Sequence, residues 1–215
     1  MAQAQLTPQQ ALKQKLVRTA NEDQKTALNY LVPAAGCGAK KVADADYDAV
    51  LKKLLDSANT YQKAIDKIGL DESELQEIPP VTLVGYETDG TILGRTGEDG
   101  TYRTDVYSVT HLFFSSTQVY VYQIILNTTK GDKKERTEEY FYKDITNFST
   151  SNDSKEVQYF VAGKGCAGAG SYQTGSIETQ RFALIVPGDR FSVATYGDIE
   201  ASVKAMKNKL REKKQ

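Results

Sequence analysis

Aromatic residues are distributed very unevenly along this 215-residue chain. Residues 1–80 contain three of the twenty, whereas residues 81–197 contain seventeen, together with many Val, Thr and Ser residues. Aromatic and β-branched side chains favour strands, while the Ala, Leu, Lys and Gln of the first part favour helices. The change falls at Ile78-Pro79-Pro80, where two prolines disfavour a continuing helix. We therefore expect a helical region at 1–80, a connecting segment at 81–100 and a strand-rich domain at 101–215.

Two amphipathic helices are predicted in the first region. Thr7 and Pro8 suit an N-cap and a first helical position, so one helix should run from about residue 8 to residue 31, either unbroken or interrupted near Asn21. A second helix should start at Asp44 or Asp46 and end at Gly69, because glycine readily adopts the left-handed stop conformation. The short connection between them indicates an antiparallel helical hairpin. Residues 71–78 are compatible with one further helical turn.

The second region alternates with the period of two that is typical of strands. Residues 128–136 are polar and contain a glycine, which predicts a hairpin tip, and Pro187-Gly188-Asp189 predicts a turn. Gly197 and Asp198 should precede a final amphipathic helix. The predicted strands lie at 102–109, 112–115, 118–126, 138–148, 156–162, 177–186 and 190–194. Closely spaced antiparallel strands followed by one helix indicate an α+β protein with a small barrel or a bent sandwich.

Three runs in this region carry a resemblance to a known family. They are HLFFSSTQVYVYQIIL, EEYFYKDITNFSTS and RFALIVPGDRFSVAT, followed by the closing helix. Residues 100–213 thereby resemble bacterial pleckstrin-homology-like (PH-like) domains. The resemblance implies a bent, seven-stranded antiparallel barrel that is capped by the C-terminal helix and serves as a binding platform. It also departs from the phosphoinositide-binding members, because residues 115–118 form a short loop with no basic residue.

A glycine-rich segment at 161–176 contains the pattern G-x-G-x-x-G at 163–168. In a dinucleotide site this pattern leads from a strand into a helix whose N-terminus meets the pyrophosphate. Here the chain returns to a strand, and Lys164 precedes the glycines instead of closing a Walker A pattern. We therefore expect an antiparallel connection without nucleotide binding. Lys164, Cys166 and Tyr172 are candidates for contacting a partner, since glycine-rich loops on a rigid scaffold often carry function.

Residues suited to catalysis or metal binding are scarce. His111 is the sole histidine, and we expect it to be a partly buried strand residue. Cys37 and Cys166 each lie among glycines, and whether they meet as a disulfide or stay free is left open by the sequence. The sequence predicts no catalytic residue, no cofactor and no metal site. With two cysteines and no apolar run long enough for a signal peptide or a membrane span, the expected location is cytoplasmic.

Basic residues cluster in two places on a chain whose net charge is −1. Lys130, Lys133 and Lys134 lie in the predicted hairpin tip, and Lys207 and Arg211 lie in the basic final helix. Residues 81–197 carry 11 basic and 14 acidic side chains, which disfavours nucleic acid as a partner. The leading hypothesis is a non-enzymatic binding or adaptor module that engages a protein partner or itself. The alternatives are peripheral binding to an anionic membrane surface through the basic helix, and an enzyme with an unrecognised site.

Overall fold

The computed structural model describes residues 7–34, 41–71, 78–87, 93–161, 171–196 and 199–214. Within them the protein has an α+β fold, as the sequence predicts. The helices are α1 (Pro8–Val17), α2 (Glu22–Leu31), α3 (Asp44–Ala58), α4 (Thr60–Ile68) and α5 (Glu200–Lys213). The strands are β1 (Ile78–Tyr86), β2 (Gly94–Thr96), β3 (Tyr102–Thr104), β4 (Val106–Phe114), β5 (Gln118–Asn127), β6 (Lys133–Phe141), β7 (Asn147–Val161), β8 (Ser171–Val186) and β9 (Asp189–Thr195).

Each predicted N-terminal helix is divided into two. The first is interrupted near Asn21, whose side chain accepts a hydrogen bond from the Gln24 N–H (2.9 Å) and caps α2. The second is interrupted at Asn59, which adopts a left-handed conformation with φ 43° between α3 and α4. The predicted caps at Thr7 and Gly69 are present, because Thr7 accepts from the Gln10 N–H (3.2 Å) and Gly69 ends α4 with φ 72°. The N-cap of α3 is Ala43, so neither Asp44 nor Asp46 caps that helix as predicted. The region is therefore a set of four helices and not one simple hairpin. Ile78 is the first residue of a strand, and the rest of the predicted turn at 71–78 falls largely outside the described residues.

Two mostly antiparallel sheets form the second region. Sheet A has the strand order β1-β4-β5-β6, and sheet B has the order β3-β2-β7-β8-β9. One parallel bridge, Arg95 with Phe160, joins β2 to β7. In the described part of the chain these sheets do not close into a barrel, so a seven-stranded barrel is not what forms. The predicted connecting segment at 81–100 instead supplies most of β1 and all of β2.

The central strands β4 and β5 of sheet A are buried on both faces. One face of β4 and β5 packs on α3 and α4 through Val109, Phe113 and Ile124, among others. The opposite face forms an inter-sheet core with sheet B and with the apolar side of α5, where the predicted positions Ile199, Val203, Met206 and Leu210 are all buried. The members of the inter-sheet core are Leu83, Leu112, Phe114, Val119, Val121, Tyr140, Tyr142, Ile145, Phe148, Phe182, Leu184, Phe191, Val193, Ile199, Val203, Met206 and Leu210. Helix α5 thus completes a core that the two sheets leave open.

The two sheets meet where β1 passes β9. The Tyr196 N–H donates to the Val84 carbonyl (3.0 Å), which continues the backbone pairing from one sheet to the other. Gly85 lies directly against the Ala194 backbone. A glycine is required there because any side chain would occupy the space of the Ala194 carbonyl.

The sequence pattern misplaced several strand boundaries. In place of the strands predicted at 102–109 and 112–115, the chain forms β3 and an uninterrupted β4. The strands predicted to begin at 156 and 177 begin earlier, at Asn147 and Ser171. The predicted strand at 138–148 is wrong, since β6 ends at Phe141 and a turn follows in which the Asp144 N–H donates to the Phe141 carbonyl (2.9 Å). Tyr142 and Ile145 point into the inter-sheet core from this turn, so the apolar pattern continues although the strand does not. The predicted tip at 128–136 is correct only in its first part, because β6 already begins at Lys133.

We expect Gly85→Ala to destabilise the protein by about 1–3 kcal/mol, because the added methyl group overlaps the Ala194 carbonyl oxygen. Urea denaturation followed by far-UV circular dichroism measures this. Ser116→Ala, at an exposed turn, is the control and should change the free energy of unfolding by less than about 0.5 kcal/mol. Equal stability of the two variants would contradict the close approach of β1 to β9.

Candidate functional site

Strand β8 extends well beyond the end of β9, the strand that pairs with one of its two edges. Its pairing with β7 runs from Ser171 to Ile185, but its pairing with β9 begins only at Gln180. Residues 171–179 therefore have β7 on one side and, among the described strands, no partner on the other. This projecting part of the β7–β8 hairpin carries the open edge of sheet B. It contacts the rest of the protein through the Arg95–Phe160 bridge and a hydrogen bond from Gln9 to Gln158 (3.4 Å).

The hairpin geometry decides which backbone groups point to the open edge. Val186 pairs with Asp189 across a two-residue turn, and such flanking residues exchange backbone hydrogen bonds. The Ser192 hydroxyl also donates to the Phe182 carbonyl (3.4 Å), on the β9 side. The direction of the backbone N–H and C=O groups alternates along a strand. In β8 these groups therefore point toward β9, or toward the open edge beyond its end, at the even-numbered residues. The outward-facing backbone groups therefore belong to Tyr172, Thr174, Ser176 and Glu178.

Within the described residues, the open β8 edge lacks most of the features that usually prevent pairing. Natural edge strands are commonly blocked by Lys, Pro, bulges or short length. Residues 171–179 read SYQTGSIET, with no Lys, Arg or Pro and one acidic side chain. Their pairing with β7 proceeds without a register shift. This edge is therefore suited to receiving another strand.

Tyr172, a predicted partner contact, lies at the start of this edge. Its ring packs edge-on against Phe160 (centroids 5.4 Å apart), and burial raises its pKa to about 12. The other two predicted loop residues, Lys164 and Cys166, fall outside the described residues, as does Cys37. The antiparallel pairing of Val161 with Ser171 confirms that the glycine-rich segment connects antiparallel strands.

A second surface feature is a groove between α5 and the start of β7. Its two adjoining parts, of about 380 and 490 Å³, share Lys207 and Arg211. The lining residues are Thr146, Asn147, Thr150, Glu200, Val203, Lys204, Lys207, Asn208, Leu210, Arg211 and Lys214. The structure therefore brings the predicted residues Lys207 and Arg211 together in one site. Lys204 and Lys214 were not among the predicted site residues, although their spacing from Lys207 and Arg211 in the sequence places them on the same helix face.

The remaining predicted basic residues lie elsewhere. Lys133 and Lys134 begin β6, where they pair with Leu126 and Ile125 of β5. Lys130 lies in the preceding turn, with its N–H donating to the Asn127 side chain (2.8 Å). None of the three lines the groove beside α5. The two basic groups thus occupy separate elements.

Arg103 forms the most extensive ion-pair cluster of the described chain. Its side chain, 7% exposed, donates to both carboxylate oxygens of Asp48 (2.7 and 2.8 Å) and of Asp99 (2.9 and 2.8 Å). Asp44 lies 4.0 Å away and accepts hydrogen bonds from Tyr30 and from the Glu98 N–H (both 2.8 Å). The Arg103 guanidinium holds the pKa of Asp99 well below its usual range. The cluster joins α3 to β3 and the β2–β3 turn.

His111 is enclosed between sheet A and α4. It is 3% exposed, more buried than expected, and its ring nitrogens lie 2.9 Å from the Thr82 hydroxyl and 2.8 Å from the Thr60 hydroxyl. The rings of Tyr61, Phe113 and Tyr122 surround it. Burial lowers the His111 pKa to about 4, so the ring is neutral near pH 7. Its contacts connect β1, β4 and α4.

Breaking the Arg103 cluster should weaken the fold. We expect Arg103→Gln to lower the free energy of unfolding by about 2 kcal/mol, because it leaves neighbouring carboxylates without their cation while the partly exposed partners keep some hydration. Chemical denaturation of Lys52→Gln provides the control, since the Lys52–Asp56 pair is well exposed and should contribute less than about 0.5 kcal/mol. Equal losses of unfolding free energy in both variants would show that the Arg103 cluster contributes no more to stability than an exposed ion pair.

His111 should make stability depend on pH in a defined window. The His111 pKa is lower in the folded protein, about 4 against the ordinary value of 6.5, so the unfolded chain binds the proton first. The stabilisation is complete above about pH 6.5 and is lost as the pH falls toward about 4. Urea denaturation at pH 7.0 and 5.5 should show a smaller difference for His111→Asn than for the unmodified protein. An unchanged difference would contradict the buried neutral state.

The described residues contain no membrane-spanning helix and no metal-binding cluster. None of their helices has both the length and the apolar character that crossing a bilayer requires. No cluster of three or more His, Cys, Asp or Glu side chains within the described ranges is arranged to hold a metal ion. Comparison of the chain with protein-family models, with curated proteins and with solved structures gives no match. The open β8 edge and the α5 groove are therefore interpreted from their own chemistry.

Proposed function

We propose that this protein is a non-enzymatic binding module that assembles with a second copy of itself by pairing the two open β8 edges. The observation that carries the proposal is the unprotected edge at residues 171–179, which has no strand partner among the described residues. Backbone N–H and C=O groups at such an edge are templates for an added strand. The expected complex is a symmetric dimer in which the two copies of sheet B form one continuous sheet.

Symmetric pairing suits this edge in register and in charge. With two β8 strands antiparallel and centred on Gly175, Thr174 faces Ser176 and Tyr172 faces Glu178 of the other copy. All of these residues direct backbone groups outward, so the pairing forms about eight inter-chain hydrogen bonds. The single acidic side chain of each edge lies opposite a tyrosine instead of another carboxylate. The edge is therefore complementary to itself.

We also propose that residues 100–213 form a PH-like domain. Its support is a two-sheet core that a C-terminal helix completes, with Val203, Met206 and Leu210 of α5 inside that core. The helical N-terminal region and the long β7–β8 hairpin are additions to that pattern. We place the assembled protein in the cytoplasm, the compartment expected from its two cysteines.

Proline at Thr174 tests the pairing, because it removes an N–H that points to the open edge and none that pairs with β7. Proline is tolerated at such edge positions. Sedimentation velocity of the full chain over a range of concentrations should show a monomer–dimer equilibrium, and Thr174→Pro should weaken dimerisation by at least about tenfold. Thr174→Val keeps the N–H and should dimerise as the unmodified protein does.

Thermal denaturation of both variants establishes that they are folded. A chain that stays monomeric at the highest accessible concentration contradicts self-assembly. A Thr174→Pro variant that is folded and dimerises normally excludes the β8 edge as the interface. Dimerisation lost in Thr174→Val as strongly as in Thr174→Pro would assign the effect to the side chain and would also overturn the proposal.

A further inference from the structure

Helix α5 presents a stripe of four cations to the groove. Lys204, Lys207, Arg211 and Lys214 follow one another at spacings of three, four and three residues, which places them on one face of a helix. At 1.5 Å per residue the stripe is about 15 Å long. All four line the groove beside β7, and the one carboxylate among the lining residues is Glu200, near the beginning of the helix.

Contacts among the described residues do not neutralise this stripe, in which Arg211 donates to the uncharged Asn208 side chain (3.4 Å). In the described structure no carboxylate forms an ion pair with Lys204, Lys207, Arg211 or Lys214, whereas Lys209 of the same helix pairs with Glu212 (3.2 Å). Like charges three and four residues apart destabilise a helix. The helix dipole favours cations only in the last turn, and Lys204 and Lys207 precede it. The stripe therefore has an electrostatic cost that an external anion would offset.

The opposite wall of the groove is polar. Thr146, Asn147 and Thr150 provide hydroxyl and amide groups there, and Asn208 adds another amide from α5. These groups can donate hydrogen bonds to carboxylates alongside the cations. A ligand that enters the groove can contact both walls, whereas a ligand that lies across the surface meets only the outer ends of the basic side chains.

The shape and composition favour a protein segment over a bilayer. Interfacial helices bury an apolar face among the lipids. The apolar face of α5 is already used, since Val203, Met206 and Leu210 are buried in the inter-sheet core. In an extended peptide, side chains on one face repeat about every 6.8 Å, so a stripe of about 15 Å accommodates about three successive acidic side chains.

From these observations we propose that the α5 groove binds an extended acidic segment of a partner protein, with its carboxylates against Lys204, Lys207, Arg211 and Lys214. This interaction is separate from the β8 edge and does not depend on self-assembly. Its electrostatic character makes it sensitive to salt.

The test uses a fluorescein-labelled octaglutamate peptide and the full chain. Fluorescence anisotropy at 20 mM and at 150 mM NaCl should show binding that weakens as salt increases. Lys207→Gln combined with Arg211→Gln should weaken it by about tenfold, because two central cations are lost. The matched control combines Lys133→Gln with Lys134→Gln, which changes the net charge equally on β6 and should alter the affinity by less than about twofold.

Several results would overturn the proposal. Absence of octaglutamate binding at 20 mM NaCl excludes an acidic segment as the ligand. Equal weakening by the two double variants would assign the binding to overall charge and not to the groove. Co-sedimentation with vesicles of phosphatidylcholine and phosphatidylserine, in the absence of peptide binding, would favour the membrane surface instead. Circular dichroism of both double variants verifies that α5 and the sheets are retained.

Discussion

Burial of the central strands β4 and β5 of sheet A on both faces is the constraint on which the rest of the structure depends. Strand β4 carries Val109 and Phe113 on one face and Leu112 and Phe114 on the other, and all four are almost completely buried. Burial of apolar surface provides the main driving force for folding, so each face needs its own cover. Helices α3 and α4 supply one cover, and sheet B with α5 supplies the other. The protein is therefore layered around one sheet, with its helical region as an integral layer.

The buried polar groups serve this layering. His111 connects α4 to β1 and β4, and Arg103 joins α3 to the β2–β3 unit, so each links a helix to a sheet. Their altered pKa values follow from enclosure and from carboxylate neighbours. Two of the surfaces that packing leaves free in the described chain are the projecting part of β8 and the outer side of α5. Each is a regular secondary-structure element with one side exposed to solvent. Because an exposed side can contact another molecule, both proposed functions are binding functions.

Much of the architecture could be predicted from local sequence signals. The caps at Thr7 and Gly69 and the apolar stripe of α5 were readable because each depends on residues close together in the chain. The turn at Tyr142 was missed because buried aromatic residues maintain an apparent alternation through it. The strand at 78–86 was missed because prolines near its start resemble a linker, although it pairs with β4.

The candidate sites were harder to predict for a different reason. Whether an edge is open depends on where a neighbouring strand ends, and the sequence does not show that β9 covers β8 only from Gln180. Likewise, Lys207 and Arg211 were visible as basic residues, but the groove exists only because α5 lies beside the start of β7. Lys133 and Lys134 had similar local composition and occupy another element.

Residue-resolved hydrogen exchange at low and high protein concentration tests the central claim most directly. If two β8 edges pair, the outward-facing amides of Thr174 and Ser176 exchange slowly only at high concentration, while those of Gln173 and Gly175 are protected by β7 at both. We expect this alternation between slowly and rapidly exchanging amides at low protein concentration. Amides of Thr174 and Ser176 that exchange at the same rate at every concentration would contradict it.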